Sequence, residues 1–195
     1  YHDPARHETE MAVLFRRYPL VLGQAAELPE PGSFLTHDLT GVPILLLRDS
    51  NGLFRAFLNV CRHRGARIET EACGTGRRGF VCPYHGWRYG LDGAVTIGDL
   101  KAFAGLDPAA HGLVELPAAE AFGLLWVRPA PPDRGEALDL DIAAYLGPLA
   151  KDFAAWGLES THPDSLTHLP EAIDWKVMVD TFLEDYHFRF AHGKS

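Results

Sequence analysis

The stretch that decides the fold begins with Cys61-Arg62-His63 and ends with Cys82-Pro83-Tyr84-His85, with 18 residues between the two pairs. Each pair joins one thiol to one imidazole, at the spacing C-x-H in the first and C-x-x-H in the second. Gly65 and Gly86 follow the pairs closely. Because glycine tolerates positive φ, these positions predict tight turns that bring backbone N–H groups towards the sulfur atoms. The stretch therefore predicts two loops, each presenting one sulfur and one nitrogen ligand.

Two thiolates and two imidazoles are the ligand set of a Rieske [2Fe-2S] centre, with the cysteines on one iron and the histidines on the other. The same four residue types also make structural zinc sites, and an isolated Cys is most often a small buried apolar residue. Zinc sites of this composition usually pair Cys with Cys and His with His. The mixed pairs therefore favour an iron–sulfur centre that handles one electron at a time.

The segments C-R-H-R-G-A (61–66) and C-P-Y-H-G-W-R-Y (82–89) resemble the Rieske domain of ring-hydroxylating oxygenases, down to the H-G-W-x-Y after the second pair. The resemblance implies that Cys61, His63, Cys82 and His85 hold the cluster. Rieske proteins of respiratory complexes have an extra Cys in each loop, where this chain has Ala66 and Tyr84. Without that disulfide, we expect a reduction potential towards the low end of the Rieske range.

Composition excludes several classes of protein. The chain has 195 residues, 47% hydrophobic and 23% charged, which is typical of globular domains. Its net charge of −8 argues against a nucleic-acid partner. No apolar run approaches the roughly 20 residues of a membrane span, and no secretory signal is present. With two cysteines assigned as ligands, Cys73 is a bystander thiol, and a free thiol beside a cluster predicts a cytoplasmic location.

The predicted fold class is α+β: an antiparallel all-β Rieske domain with two cluster-binding loops, followed by the beginning of a helix-grip-like catalytic domain. The predicted divisions are 1–32 for an N-terminal helix and linker, 33–130 for the Rieske domain, and 131–195 for the connector and truncated start of the catalytic domain. Asp3 and Pro4 predict a helix start, and the apolar face continues to Tyr18. Strands are predicted at 20–22, 34–39, 44–47, 53–60, 80–81, 87–91, 94–97, 111–116 and 122–127. Asn51-Gly52 predicts a hairpin turn, because both residues tolerate positive φ.

A second group of candidate ligands lies near the end of the chain. Asp174 is a candidate cap for a helix from Trp175 to about His187, and residues three apart, such as Glu184 and His187, share one side of a helix. His192 follows five residues later, so the helix must break if both imidazoles are to meet one ion. Two His and one carboxylate with open positions are typical of non-haem Fe(II) oxygenases.

This segment resembles the start of the catalytic domain of Rieske oxygenase α subunits, with the pattern W-K-x-x-x-[DE]-x-[FY]-x-[DE]-x-Y-H-x-x-x-x-H. The resemblance implies that His187 and His192 bind a mononuclear Fe(II). It implies that Glu184, with Asp185 as the second candidate, bridges cluster and iron across a subunit boundary. Many members have Asp at the bridging position, whereas this chain has Glu. The third iron ligand, an acidic residue, is expected beyond residue 195.

The function implied by the resemblance is that of the terminal component of a multicomponent oxygenase. Such a component uses O₂ and electrons from NAD(P)H, delivered by a reductase, a ferredoxin or both, to hydroxylate or oxidatively demethylate an organic, aromatic substrate. The resemblance also implies a homotrimer, with or without a second subunit type. The alternative is a Rieske ferredoxin that carries electrons and has no substrate of its own.

Basic residues crowd the ligand region of this acidic chain. They are Arg62, Arg64, Arg67, Arg77, Arg78 and Arg88, against the acidic residues Glu69, Glu71 and Asp92. A local excess of positive charge would steer an acidic electron donor, whereas a solvated charged face would have no partner. The sequence leaves both interpretations open.

Overall fold

The computed structural model describes residues 3–38, 40–164 and 173–192. The strands are β1 (Leu20–Gln24), β2 (Phe34–His37), β3 (Ile44–Arg48), β4 (Phe54–Leu58), β5 (Cys73–Gly74), β6 (Phe80–Val81), β7 (Arg88–Tyr89), β8 (Val95–Thr96), β9 (Glu115–Leu116), β10 (Ala118–Ala121) and β11 (Leu124–Val127). The α-helices are α1 (Pro4–Glu10), α2 (Ile142–Leu146), α3 (Ala150–Trp156), α4 (Trp175–Leu183) and α5 (Phe188–Ala191). The predicted order, an antiparallel β domain and then helices, is confirmed.

Three antiparallel sheets build the β domain. The middle sheet has the strand order β5-β2-β3-β4-β9, and the two smaller sheets have the orders β1-β11-β10 and β6-β7-β8. β1 pairs with β11 from Leu20 to Gln24, so this strand joins the β domain although it precedes the predicted boundary at residue 33. The boundaries at 32/33 and 130/131 stay predictions.

The middle sheet has an apolar core on each of its faces. In β3, Leu45 and Leu47 pack into the core that also holds both cysteines of the ligand pairs. Ile44 and Leu46 pack into the opposite core, together with residues of β11. Because successive side chains of a strand point to opposite faces, a strand buried on both faces needs an unbroken apolar run, which is what residues 44–47 provide.

The hairpin predicted at Asn51-Gly52 is present. β3 and β4 are joined by residues 49–53, and of the two predicted residues only Gly52 has a positive φ, of 79°. The buried Asp49 carboxylate accepts hydrogen bonds from the backbone N–H groups of Asn51 and Leu53, at 2.8 and 3.0 Å. The carboxylate therefore stabilises the turn that joins the two strands.

Several predicted elements are shorter than expected, and two of them differ most. The strand predicted over 111–116 is limited to β9, and Pro108–His111 form a 3₁₀ turn. The helix predicted to reach Tyr18 ends as α1 at Glu10 and continues as a π-helical turn over Met11–Phe15. The Asp3 cap is confirmed, because its Oδ1 accepts a hydrogen bond from the Ala5 N–H at 3.0 Å. Leu39, the end of a predicted strand, lies outside the described residues.

The regular elements after β11 in the described residues are all helices, separated by irregular segments. The helix predicted from Trp175 to about His187 ends at Leu183, because Glu184 has extended backbone angles (φ −107°, ψ 137°). The connector predicted over 163–170 lies mostly outside the described residues, and the helix-grip arrangement stays a prediction. None of the helices in the described ranges has the length and apolar content needed to cross a bilayer.

We expect Leu46→Ala to lower the free energy of unfolding by about 2–5 kcal/mol, because it leaves a cavity in a core that cannot fully collapse. Leu46 is 0% exposed, whereas Leu53, the matched control, is 62% exposed. Leu53→Ala should change the free energy of unfolding by about 0.5 kcal/mol or less. Urea unfolding followed by circular dichroism measures both; equal effects would show that Leu46 is not a core residue.

Candidate metal centres

The two loops that carry the ligand pairs are closed by the same backbone hydrogen bonds. In the first loop, the Cys61 N–H donates to the Ala66 carbonyl at 2.8 Å and the Gly65 N–H donates to the Cys61 carbonyl at 2.9 Å. In the second, the Cys82 N–H donates to the Trp87 carbonyl at 2.8 Å and the Gly86 N–H donates to the Cys82 carbonyl at 3.0 Å. The loops are therefore equivalent around their cysteines.

The glycines act in these loops through backbone conformation. Gly65 and Gly86 have φ values of 73° and 70°, and a Cβ atom at either position would meet no atom within 4 Å. Any other residue would therefore fit sterically but would be strained in the left-handed region. The predicted tight turns are confirmed.

Both cysteine thiols are buried, with Cys61 3% and Cys82 2% exposed. The Tyr89 hydroxyl lies 3.3 Å from the Cys61 sulfur and also accepts a hydrogen bond from the Arg62 N–H at 3.0 Å. Burial raises the pKa of Cys61. The hydrogen bond from Tyr89 lowers it, as do those from the backbone of His63 and Arg64 and from the Cys82 thiol. These hydrogen bonds outweigh burial, so the pKa of Cys61 lies below its usual value. The site favours the thiolate, which is the form that binds metals.

Tyr89 is held in the protonated form that donates to sulfur. Burial, and then its hydrogen bond to Cys61, raise the pKa of Tyr89 well above its usual value. A hydroxyl that keeps its proton beside a thiol with a lowered pKa donates its hydrogen bond to the sulfur. Tyr89 thus stabilises negative charge at this position.

The two histidines have different surroundings. The His63 ring stacks on Trp87 with centroids 5.0 Å apart, and Phe103 meets it edge-on at 5.5 Å. The His85 ring is exposed and has its centroid 4.4 Å from that of His63 and 3.9 Å from that of Tyr84. Burial lowers the pKa of His63, and His85 and Arg64 lower it further. A neutral imidazole is the form that binds metals.

The residues present fit a [2Fe-2S] cluster. His63 Nδ1 is buried and has no hydrogen-bond partner, which is costly for a polar atom unless a ligand occupies it. Together with two buried thiols that favour the thiolate, this unpaired nitrogen makes a donor set of mixed softness. Within the described ranges, no three His, Cys, Asp or Glu side chains converge on one ion. A [2Fe-2S] cluster divides its four ligands two to each iron.

The second group of candidate ligands lies between α4 and α5. The Glu184 Oε1 is 2.6 Å from His187 Nδ1, and the rings of His187 and His192 have centroids 5.5 Å apart. The helix was predicted to break between the two histidines, but the break lies before them: α4 ends at Leu183, and the residues between His187 and His192 form α5. The Asp185 carboxylate makes no hydrogen bond or ion pair with a residue that the structure describes. Glu184 is therefore the acidic residue that contacts the candidate ligand.

The start of α4 is anchored to the N-terminal helix. The Glu10 carboxylate accepts a hydrogen bond from Trp175 Nε1 at 3.2 Å and pairs with the Lys176 ammonium group. Phe15 meets the Trp175 ring edge-on with centroids 5.2 Å apart, and Asp174 caps the helix by accepting from the Lys176 N–H at 2.9 Å. These contacts hold the helix that leads to Glu184. The Asp174 cap was predicted from the sequence, whereas the contacts of Glu10 and Phe15 were not.

The arginines of the ligand region divide into two groups. Arg67 pairs with Asp38, and Arg77 pairs with Glu69 at 2.9 Å. The others are exposed and form no ion pair with any residue in the described ranges; they are Arg62, Arg64, Arg78 and Arg88. The local basic excess is therefore presented to solvent.

Comparison with known protein families identifies the β domain. Residues 18–102 match the family model described as "Rieske [2Fe-2S] domain". These residues form a Rieske [2Fe-2S] domain. The match includes both ligand pairs, and the structure places them on equivalent loops with the thiols buried.

Relatives extend the similarity to nearly the whole chain. It is 35% identical over 195 residues to the glycine betaine monooxygenase oxygenase subunit of Chromohalobacter salexigens, an alignment that covers 98% of this chain and 42% of the relative. The chain thus spans less than half of that relative's length. The matched residues continue past the β domain into the segment that carries Glu184, His187 and His192.

Two solved structures share the fold. One is a quaternary ammonium Rieske monooxygenase described in terms of carnitine oxidation by gut microbiota and inter-subunit electron transfer, with a TM-score of 0.81, 25% identity, and coverage of 95% of this chain and 50% of that chain. The other is naphthalene 1,2-dioxygenase from Rhodococcus sp. bound to indole, with a TM-score of 0.79, 26% identity, and coverage of 97% and 44%. These similarities confirm the predicted Rieske oxygenase architecture.

Sequence analysis missed some residues that shape these sites. Tyr89 and Trp87 were in the quoted H-G-W-x-Y segment, yet no role was assigned to them. The W-K pattern at 175–176 was quoted as well, without its partner Glu10. Phe103 carried no signal, because a single aromatic residue 18 positions after His85 has no spacing that indicates contact with His63.

We expect Tyr89→Phe to lower the reduction potential of the Rieske cluster. Hydrogen bonds to cluster sulfurs raise the potential, because they stabilise the more negative reduced state. The shift should be a few tens of mV, since a one-electron couple changes by about 40 mV for each kcal/mol of differential stabilisation. Tyr84→Phe, at an exposed tyrosine beside His85, is the control. Spectroelectrochemical titration measures both; equal potentials in the two variants would contradict a Tyr89–sulfur hydrogen bond.

We expect Glu10→Gln to speed hydrogen exchange of the α4 amides at neutral pH, by up to about fivefold, as for an ion pair of modest strength. Lys176 and then Arg6 lower the pKa of Glu10 from 4.5, and Glu10 raises that of Lys176 from 10.5. The ion pair therefore contributes fully between these two values, and is lost as the pH falls through the lowered carboxyl pKa or rises through the raised ammonium pKa. Glu8→Gln is the control. An unchanged exchange rate in Glu10→Gln would show that α4 is held by other contacts.

Proposed function

We propose that this chain is the front portion of the terminal oxygenase component of a multicomponent Rieske non-haem iron oxygenase. The single observation that carries the proposal is the Glu184–His187 contact at 2.6 Å, with His192 beside it, on the segment that follows a Rieske domain. An electron carrier has no use for a second group of ligands. The 35% identity to a monooxygenase subunit, which continues through this segment, supports the same conclusion.

Four residues of the β domain are proposed to hold the cluster: Cys61, His63, Cys82 and His85. When bound, the cluster supplies one-electron transfer, and a mononuclear iron supplies oxygen activation. Trp87 and Phe103 orient His63, and the Tyr89 hydroxyl stabilises negative charge at Cys61. His85 reaches the surface, so it is the proposed exit for the electron.

His187 and His192 are proposed to hold the mononuclear Fe(II), with a third, acidic ligand beyond residue 195. Because Glu184 occupies His187 Nδ1, it fixes the imidazole tautomer and orientation and leaves Nε2 for the metal, as carboxylates do behind metal-binding histidines. The Glu184 side chain is also 49% exposed. This exposure supports its proposed role as a bridge to a neighbouring subunit, and Asp185 is the second candidate.

The proposed substrate class is a small quaternary ammonium compound, which would be hydroxylated or oxidatively demethylated. The relative with 35% identity acts on glycine betaine, and a structural neighbour is a quaternary ammonium monooxygenase. The aromatic substrate expected from sequence has the support of the naphthalene dioxygenase structure at 26% identity. The higher identity of the betaine enzyme favours the quaternary ammonium class.

The proposed assembly is a homotrimer in the cytoplasm, supplied with electrons from NAD(P)H through a reductase, a ferredoxin or both. A bridge across a subunit boundary requires a ring of subunits, and inter-subunit electron transfer is described for the quaternary ammonium monooxygenase. The unpaired arginines of the ligand region support docking of an acidic electron donor, because complementary charge steers such encounters.

We expect the full-length protein to contain three irons per chain, and His187→Ala to retain two. The variant should keep the visible spectrum of the cluster but lose, by at least about 100-fold, the oxygen uptake that glycine betaine or carnitine stimulates, because a removed ligand costs at least as much as a removed supporting residue. Iron analysis and an oxygen electrode measure these changes. His162→Ala, at an exposed histidine, is the control.

Other outcomes of this experiment have definite meanings. Two irons in the unsubstituted full-length protein, with no substrate-dependent oxygen uptake, would identify a Rieske ferredoxin. Oxygen uptake stimulated by naphthalene and not by glycine betaine or carnitine would overturn the substrate class while leaving the oxygenase assignment intact. A colourless protein that contains zinc would contradict both the oxygenase assignment and the ferredoxin alternative.

A further inference from the structure

The two chain segments that flank each ligand loop, called its arms below, are held together differently in the two loops. The second loop lies between β6 and β7, which pair directly through Phe80–Tyr89 and Val81–Arg88. The first loop leaves β4 after Leu58, and the residues on either side of it, 59–60 and 67–69, belong to no strand. The loops share the hydrogen bonds at their cysteines, but the first loop lacks a strand ladder behind them.

The side chain of Asn59 occupies the place of that missing ladder. Its Oδ1 accepts hydrogen bonds from the N–H groups of Ile68 and Glu69, at 3.2 and 3.0 Å, and its Nδ2 donates to the Glu69 carbonyl at 2.8 Å. An amide has one carbonyl and one N–H₂ group, so it can pair with a backbone as another backbone would. Asn59 is 0% exposed, which means that no water can replace these bonds.

Both ends of this contact are firmly placed. The Asn59 N–H donates to the Pro43 carbonyl at 2.9 Å, which ties it to the start of β3. On the other side, the Glu69 carboxylate accepts from the N–H groups of Thr70 and Glu71, at 2.9 and 3.0 Å, and pairs with Arg77. A rigid segment on each side means that the amide sets the distance between the two arms of the loop.

We propose that Asn59 is a positioning residue that sets the geometry of the Cys61–His63 half of the cluster site. It touches neither the cluster nor a substrate, and acts by fixing the two chain segments between which this loop is stretched. Ile68, which donates to the Asn59 amide, lies in the same core as Cys61 and Cys82. A shift of this segment would therefore move the wall against which Cys61 packs. The inference depends on the Rieske domain and not on the proposed oxygenase activity.

The test uses the full-length protein with its cluster and the variant Asn59→Asp. Aspartate keeps the two acceptor contacts but replaces the N–H₂ donor with an oxygen that faces the Glu69 carbonyl. We expect shifted g-values in the electron paramagnetic resonance spectrum of the reduced cluster, and cluster release to a chelator at least about tenfold faster. Asn51→Asp, at the chain's other asparagine in an exposed turn, should leave both unchanged.

Leu46→Ala separates positioning from general stability, because Leu46 lies in the core on the opposite face of the middle sheet. It should lower the unfolding midpoint without changing the g-values. If Asn59→Asp had unchanged g-values, and released its cluster no faster than Leu46→Ala under conditions of equal stability, Asn59 would be a structural residue only.

A second variant decides the matter if Asn59→Asp yields no folded protein. Glu69→Gln leaves the Asn59 amide contacts in place but weakens the carboxylate contacts that hold the segment on the far side. We expect the g-values of the reduced cluster in Glu69→Gln to differ from those of the unsubstituted protein. Unchanged g-values in Glu69→Gln would contradict the proposal.

Discussion

The burial of two thiols between two matched loops is the constraint on which the β domain depends. Cys61 and Cys82 belong to the same apolar core as Phe34 and Leu45 of the middle sheet. A thiolate in such a place is costly unless hydrogen-bond donors compensate for lost water. The Tyr89 hydroxyl and the backbone around Cys61 supply those donors. The sheets are arranged so that β4 leads to one loop and β6 and β7 flank the other, which brings both thiols to one place.

Local signals predicted the parts of this arrangement that depend on a few consecutive residues. The two Cys-His pairs, the glycines after them and the Asp3 cap are each recognised from neighbouring residues, and the structure contains all three features. The strand at 44–47 was also predictable, because an unbroken apolar run suits a strand with a core on each side. These elements are determined by residue type and spacing, which a sequence shows directly.

Features that depend on distant residues were not predicted. β10 consists of Ala118–Ala121, which are good helix formers, and it is a strand because it pairs with β11 through a turn in which Phe122 and Gly123 both have positive φ. Likewise, α4 ends at Leu183 although the apolar pattern continues. Glu10 contacts residues 165 and 166 positions away. The pairing of β10 with β11 overrides local preference, and the contacts of Glu10 join distant parts of the chain, so no short pattern reports either.

The two candidate sites end in groups whose chemistry is complementary. His63 is covered by Trp87 and Phe103, whereas His85 is exposed and can approach another molecule. At the second site, the Glu184 carboxylate contacts His187 and is still 49% exposed. An imidazole N–H donates and a carboxylate accepts, so His85 of one subunit and Glu184 of another would be able to form a hydrogen bond in the proposed assembly.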